Sequence, residues 1–239
     1  MPGNNRKTIE GYADVPGGKI WYKIMGEGDE VPLITLHGGP GSTHNGLAPL
    51  ETLSDERKVV FYDQLGCGKS DRPEDLSLWK TERFVKELAD LREVLGFSSV
   101  HILGHSWGTM LATDYLLTQP KGVQSVILSS PCISIPMWVK DGQNYIKQLD
   151  VNVQNAIELH QKNGTIDSPE YKSAVEEFNK RHVNPLHVKP EIFKSYLKQR
   201  GLIVYETMWG VNEFYMTGNL AGYDRTDRLH QLKIPTLFS

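Results

Sequence analysis

Ser106 lies in the run Gly104-His105-Ser106-Trp107-Gly108, which matches G-x-S-x-G, the pattern of a nucleophile elbow. The chemistry such an elbow serves is attack of a serine oxygen on a carbonyl carbon. It needs the serine on a strained strand-to-helix turn, so that the oxygen projects from the end of a sheet. It also needs small residues on either side, which leave room for a close strand–helix crossing. The flanks meet both demands. Ser99 to Leu103 is a short apolar stretch that reads as a buried strand, and Thr109 to Leu117 has a helix pattern that stops before Pro120. A serine nucleophile further requires donors for the oxyanion. The backbone N–H of Trp107, the residue after the nucleophile, is one. The other is expected from the glycine-rich run His37-Gly38-Gly39-Pro40-Gly41, at Gly38 or Gly39.

The elements that must position these groups alternate between strand and helix. Residues 11–25 alternate around Pro16-Gly17-Gly18 and read as a hairpin, with Lys19 to Met25 as its second strand. Val31 to Leu36 reads as the next strand and leads into the His37–Gly41 run. Lys58 to Tyr62 is another, followed by Asp63-Gln64-Leu65-Gly66-Cys67-Gly68-Lys69-Ser70. Residues 78–95 form an amphipathic helix with Phe84, Leu88, Leu91 and Leu95 on one face and Gly96 as its cap. Gln124 to Leu128 is a further strand. This order predicts an α/β fold with a mostly parallel sheet covered by helices on both faces. From 134 to 225 the chain is more polar and shows no strand run. Ser168-Pro169-Glu170 marks a helix start there, and Pro185, Pro190 and Gly201 punctuate further short helices. Leu232 to Ser239 reads as the start of a returning strand. The division expected is a first part of the core at 1–133, a helical cap insertion at 134–225, and the start of the returning core at 226–239.

Composition narrows the function classes. A chain of 239 residues is long enough for one large α/β domain. A net charge of −3 without any basic run argues against nucleic acid or an anionic membrane as partner. The N-terminal run lacks the apolar stretch of a signal peptide, and no apolar run has the length of a membrane span. Cys67 and Cys132 have neither metal-ligand nor disulfide-framework spacing, so a reducing, cytoplasmic setting is expected. Gly66-Cys67-Gly68-Lys69-Ser70 resembles the end of a P-loop, but Asp63 stands where that motif needs glycine. No H-E-x-x-H run and no dinucleotide fingerprint occurs, and no cofactor or metal is implied.

Taken together, the runs at 37–41, 62–70 and 104–108 resemble those of the proline iminopeptidase (prolyl aminopeptidase) family, which are α/β-hydrolase serine peptidases with a helical cap. The resemblance covers essentially the whole chain, in order and at fitting spacing. It implies removal of an N-terminal residue, often proline, from peptides or amino-acid amides that carry a free amine. In the cap, Asn212-Glu213-Phe214 resembles the segment whose glutamate binds that amine, and Tyr205 matches a tyrosine of the same site. A carboxylate in a partly desolvated cap suits a cationic amine, because charge-assisted hydrogen bonds are strong there. Trp209 and Tyr215 fit either a pocket for a proline ring or the core of the cap, and core is the simpler assignment for each.

The catalytic base and acid are not legible within the chain. In this fold the order is Ser, then Asp or Glu, then His, with the acid after a late strand. Both positions are expected beyond Ser239, and Ser129-Ser130-Pro131-Cys132 supplies no acid at the earlier variant position. Of the eight histidines, His37 reads as a structural hydrogen-bonder. His101 and His105 belong to the elbow strand and elbow, His44 follows the glycine loop, His160, His182 and His187 lie in the cap, and His230 precedes the last strand. Without base and acid, only residual catalysis of about 10³–10⁴ over water is expected. A strand edge left unpaired at residue 239 is expected to lower stability. Two further readings stay open: an amide or ester hydrolase with no amine requirement, and a peptide-binding relative without catalysis.

Overall fold

The computed structural model describes residues 7–183 and 198–239. Its organising strand is β2, Gly18–Leu36, which pairs antiparallel with β1 (Thr8–Val15) and with β3 (Arg57–Tyr62). The sequence reads as two strands here, Lys19 to Met25 and Val31 to Leu36, with 26–30 between them. The chain instead runs on as one bent strand with register shifts between Met25 and Ile34. The glycines permit the bend. Gly26 has φ +95°, and a Cβ on it would lie 2.5 Å from the Ser54 carbonyl oxygen, while one on Gly28 would lie 2.2 Å from that of Glu56. The backbone passes where only hydrogen fits.

β2 then pairs parallel with β4 (Val100–His105), β4 with β5 (Val123–Ser129), and β5 with β8 (Thr236–Phe238). Residue parity sorts the two faces. Ile34, Leu36, Val60, Ile102 and Leu128 point into the main core, under α1 (Thr81–Leu95) and α2 (Trp107–Leu117). Leu33, Val59, Phe61 and Leu103 point the other way, under the 3-10 turns of His44–Asp55. α1 ends where expected, at Gly96 with φ +67°.

After β5 come α3 (Ile135–Ile146), α4 (Val151–Asn163), α5 (Pro169–Phe178) and α6 (Leu202–Met208). Ser168 caps α5 by accepting the Tyr171 N–H, and Pro169 fills the first turn. Ile146, Ile157, Tyr171, Phe178 and Phe214 form a small core of their own. A short hairpin unseen in the sequence, β6 (Gly210–Asn212) with β7 (Tyr215–Met216), follows α6. Two- and three-residue strands carry too little alternation to register as a pattern. Pro185, His187 and Pro190 lie outside the described residues. Among the described residues no helix is long and apolar enough to cross a membrane.

Strand register decides what meets at the sheet's end. Leu36 is opposite Gly104, Gly104 opposite Leu128, and His105 opposite Ser129. The segments beginning at His37, Ser106 and Ser130 therefore leave the sheet along one edge. The crossing of β4 and α2 depends on hydrogen at two positions. A Cβ on Gly104 would meet the Gly108 carbonyl oxygen at 2.3 Å, and one on Gly108 would meet that of Leu36 at 2.2 Å. Backbone cannot retreat as a flexible side chain can. Gly108→Ala is therefore expected to cost about 3 kcal/mol or more. Urea unfolding of the variant measures this, and a midpoint equal to the parent would contradict it.

Candidate active site

Ser106 is the hinge between β4 and α2, with φ 52° and ψ −120°. A non-glycine residue there stores backbone strain. The surroundings fix it. The Ser106 N–H donates to Ser129 O at 3.1 Å, and the Thr109 N–H donates to Ser106 O at 2.8 Å. The side chain is half-buried. Trp107 opens α2, so its N–H belongs to the first turn, where backbone donors lack intrahelical partners.

The His37–Gly41 loop packs directly on the elbow. A Cβ on Gly38 would lie 3.2 Å from both Ser106 Cβ and His105 O. Gly39 has φ +119° and precedes Pro40 through a cis bond. His37 is buried, and burial lowers its pKa, which favours the neutral ring. Its Nε2 accepts from the Gln64 N–H at 3.1 Å, so the proton sits on Nδ1, 2.9 Å from Gly38 O. His37 is thus the structural hydrogen-bonder that its position suggested.

The 63–70 loop is the brace of the site. Asp63 Oδ1 accepts from the backbone N–H and Nδ1 of His44 at 2.9 and 2.8 Å, and Oδ2 accepts from the Lys69 N–H at 2.9 Å. Burial alone would raise its pKa. The bonds from His44 outweigh burial and hold the carboxyl below its ordinary value. The His44 ring also packs 4.5 Å from that of Trp21. This dyad joins two loops and leaves no local signature, since the partners are nineteen residues apart. Cys67 is buried against His37, and burial pushes its thiol well up.

The cap meets these loops through α6. Gly201 N–H donates to Gly41 O, and Gly68 N–H donates to Gln199 O, both at 2.8 Å. Tyr205, on α6, donates its hydroxyl to Glu213 Oε1 at 2.8 Å. Glu213 sits in the β6–β7 turn. Trp138 Nε1 donates to its carbonyl oxygen at 2.6 Å, and Asn212 Oδ1 accepts the N–H groups of Phe214 and Tyr215. Burial raises the Glu213 pKa, partly offset by the Tyr205 bond and the Arg200 charge. Cys132 at the end of β5 feels that carboxylate, and burial together with it pushes the thiol up to about 12. Tyr205 and Glu213 are thus brought together. Tyr215 packs on the small core formed by the helices after β5, as expected, whereas Trp209 is buried in the main core, edge-on to Trp138. Thiols this buried do not form thiolate near neutrality. Iodoacetamide at about pH 8 should leave both cysteines unmodified in the folded protein and label both in denaturant, as read by intact mass.

Among the described residues no histidine hydrogen-bonds to Ser106. His101 bonds Ser125, His160 bonds Thr165, His230 bonds Asp227 O, and His182 stacks on Tyr145. His105 has an exposed ring with Nδ1 beside Gly38.

Residues 31–214 match the model of the alpha/beta hydrolase fold. A proline iminopeptidase of Heyndrickxia coagulans is 47% identical over 236 residues, covering 96% of this chain and 81% of the relative. One of Lactobacillus helveticus is 42% identical over 239 residues, with 98% and 81% covered. The chain belongs to the proline iminopeptidase family. The crystal structure of the family's Mycobacterium smegmatis member superposes with a TM-score of 0.87 at 32% identity, covering 96% of this chain and 80% of that one. As a proline iminopeptidase-family member this chain is a hydrolase, and serine chemistry is the mechanism usual in that family.

Proposed function

We propose that this protein is a serine aminopeptidase that releases an N-terminal residue, preferentially proline, from peptides or amino-acid amides. The observation that carries the reading is the placement of a half-buried carboxylate, Glu213, held by Tyr205 in a cap that docks on the loops around Ser106. Ser106 Oγ attacks the first carbonyl carbon and forms an acyl-enzyme. The N–H groups of Gly39 and Trp107 hold the oxyanion. Glu213 accepts the substrate's free amine and so limits cleavage to the first residue, with Tyr205 orienting the carboxylate. Water then releases the residue. Residues 134–225 act as the cap and 1–133 with 226–239 as the core, in a cytoplasmic setting. The free amine decides the test. With base and acid present, proline arylamide should be hydrolysed and its N-acetylated form should not. Equal rates on the two would favour an amide or ester hydrolase without an amine requirement.

A further inference from the structure

Gln64 is fully buried, and its amide is spent on the site rather than on the core. Nε2 donates to His37 O at 3.2 Å, and Oε1 accepts from Trp107 Nε1 at 2.8 Å. Its backbone N–H donates to His37 Nε2 at 3.1 Å. One residue therefore touches the glycine loop twice and the elbow once. The consequence follows from peptide planarity. Gly38 C=O and Gly39 N–H belong to one rigid, trans unit, so fixing the oxygen fixes the direction of the hydrogen. Gly38 O is held by His37 Nδ1 at 2.9 Å and by the Ser42 N–H at 3.3 Å. The His37 ring is in turn held at Nε2 by the Gln64 backbone N–H, and the His37 backbone is held at its carbonyl oxygen by the Gln64 side chain. At the other end, Gln64 Oε1 fixes the indole of the residue whose backbone N–H opens α2.

We propose that Gln64, acting through His37 and the Trp107 indole, is a positioning residue that keeps the N–H groups of Gly39 and Trp107 in register as one oxyanion hole. This rests on the reading of those two groups as oxyanion donors. The bridge matters because the donors come from segments with no covalent continuity, following β2 and β4. Strand register brings the two loops to one sheet edge, but the orientation of a peptide plane in a glycine loop is free until something binds its oxygen. A buried amide with both ends bonded supplies a fixed length between them.

Gln64→Met keeps the size of the side chain and the backbone N–H bond to His37 Nε2, and removes the two side-chain amide bonds, so it frees the His37 backbone and the Trp107 indole together. In steady-state hydrolysis of proline arylamide, kcat should fall about 10²-fold, as for loss of an oxyanion donor. KM should stay within about threefold, because the loss falls on the transition state. Amide NMR of ¹⁵N-labelled protein gives an independent reading: the Gly39 and Trp107 N–H signals should both move, with those of α5 unmoved. If Gln64→Met does not fold, Trp107→Phe cuts only the indole end of the bridge, and the Gly39 signal should still move. Unmoved Gly39 and Trp107 signals in a folded Gln64→Met, or an unmoved Gly39 signal in Trp107→Phe, would overturn the coupling. So would an unchanged kcat. Turnover that survives Ser106→Ala would instead count against the catalytic reading, and the amide spectra would still decide the coupling.

Discussion

In a protein that carries a triad base and acid, replacing Ser106 by alanine should lower kcat on a proline arylamide by at least about 10⁴-fold, as loss of a triad nucleophile does elsewhere. The expected remainder is binding and oxyanion stabilisation without a covalent path. The elbow geometry gives a second signal that separates nucleophile from scaffold. At φ 52° and ψ −120°, Ser106 pays for a backbone conformation that suits glycine. Ser106→Gly should therefore be as inactive as the alanine variant and yet more stable than the parent, by about 1 kcal/mol. Parallel kinetics and urea unfolding check both. An active Ser106→Ala would remove Ser106 from the chemistry. A destabilised Ser106→Gly would show that the turn is not strained.

Glu213→Gln should have the second largest effect, and it should be selective for the amine. Removing one partner of a buried charge pair costs about 3–4 kcal/mol. That is about 10²–10³-fold in kcat/KM for a free-amine substrate. Binding of the N-acetylated analogue, which lacks the amine, should be hardly affected. The pH dependence has a defined sign. Burial raises the carboxyl pKa, so in the free protein the anion forms only at higher pH than for an ordinary glutamate. Amine recognition should be lost as pH falls through that raised value. Stability runs the opposite way. A carboxyl that binds its proton more tightly when folded makes stability fall as pH rises from the unfolded pKa to the folded one, and the full penalty persists above it. Glu213→Gln should therefore melt higher than the parent at neutral pH and match it in acid. A variant with lower activity and a lower neutral melting temperature would make Glu213 a structural ion rather than a receptor for substrate charge.

Much of this was legible in the sequence because it is local. Gly104-His105-Ser106-Trp107-Gly108 dictates a strand, a tight turn and a helix within a dozen residues, and the structure places all three. Gly96 and the Ser168-Pro169 pair likewise mark helix ends through their own backbone preferences. The family runs at 37–41 and 62–70 were recognisable by residue type. What they do for one another was not. The pairing of Asp63 with His44 and the Gln64 bridge from His37 to Trp107 join residues that no periodicity relates, whereas Tyr205 and Glu213 were assigned to one site by the family resemblance and by nothing local. β2 reads as two strands in the sequence because glycine looks like a break in one dimension. Only the neighbouring backbone at Ser54 and Glu56 shows that it is a place of close approach. Local propensity thus determined the elements and the candidate nucleophile. Tertiary structure decided which buried polar groups face each other, because burial obliges each to find a partner and only the packed sheet end says which one is within reach.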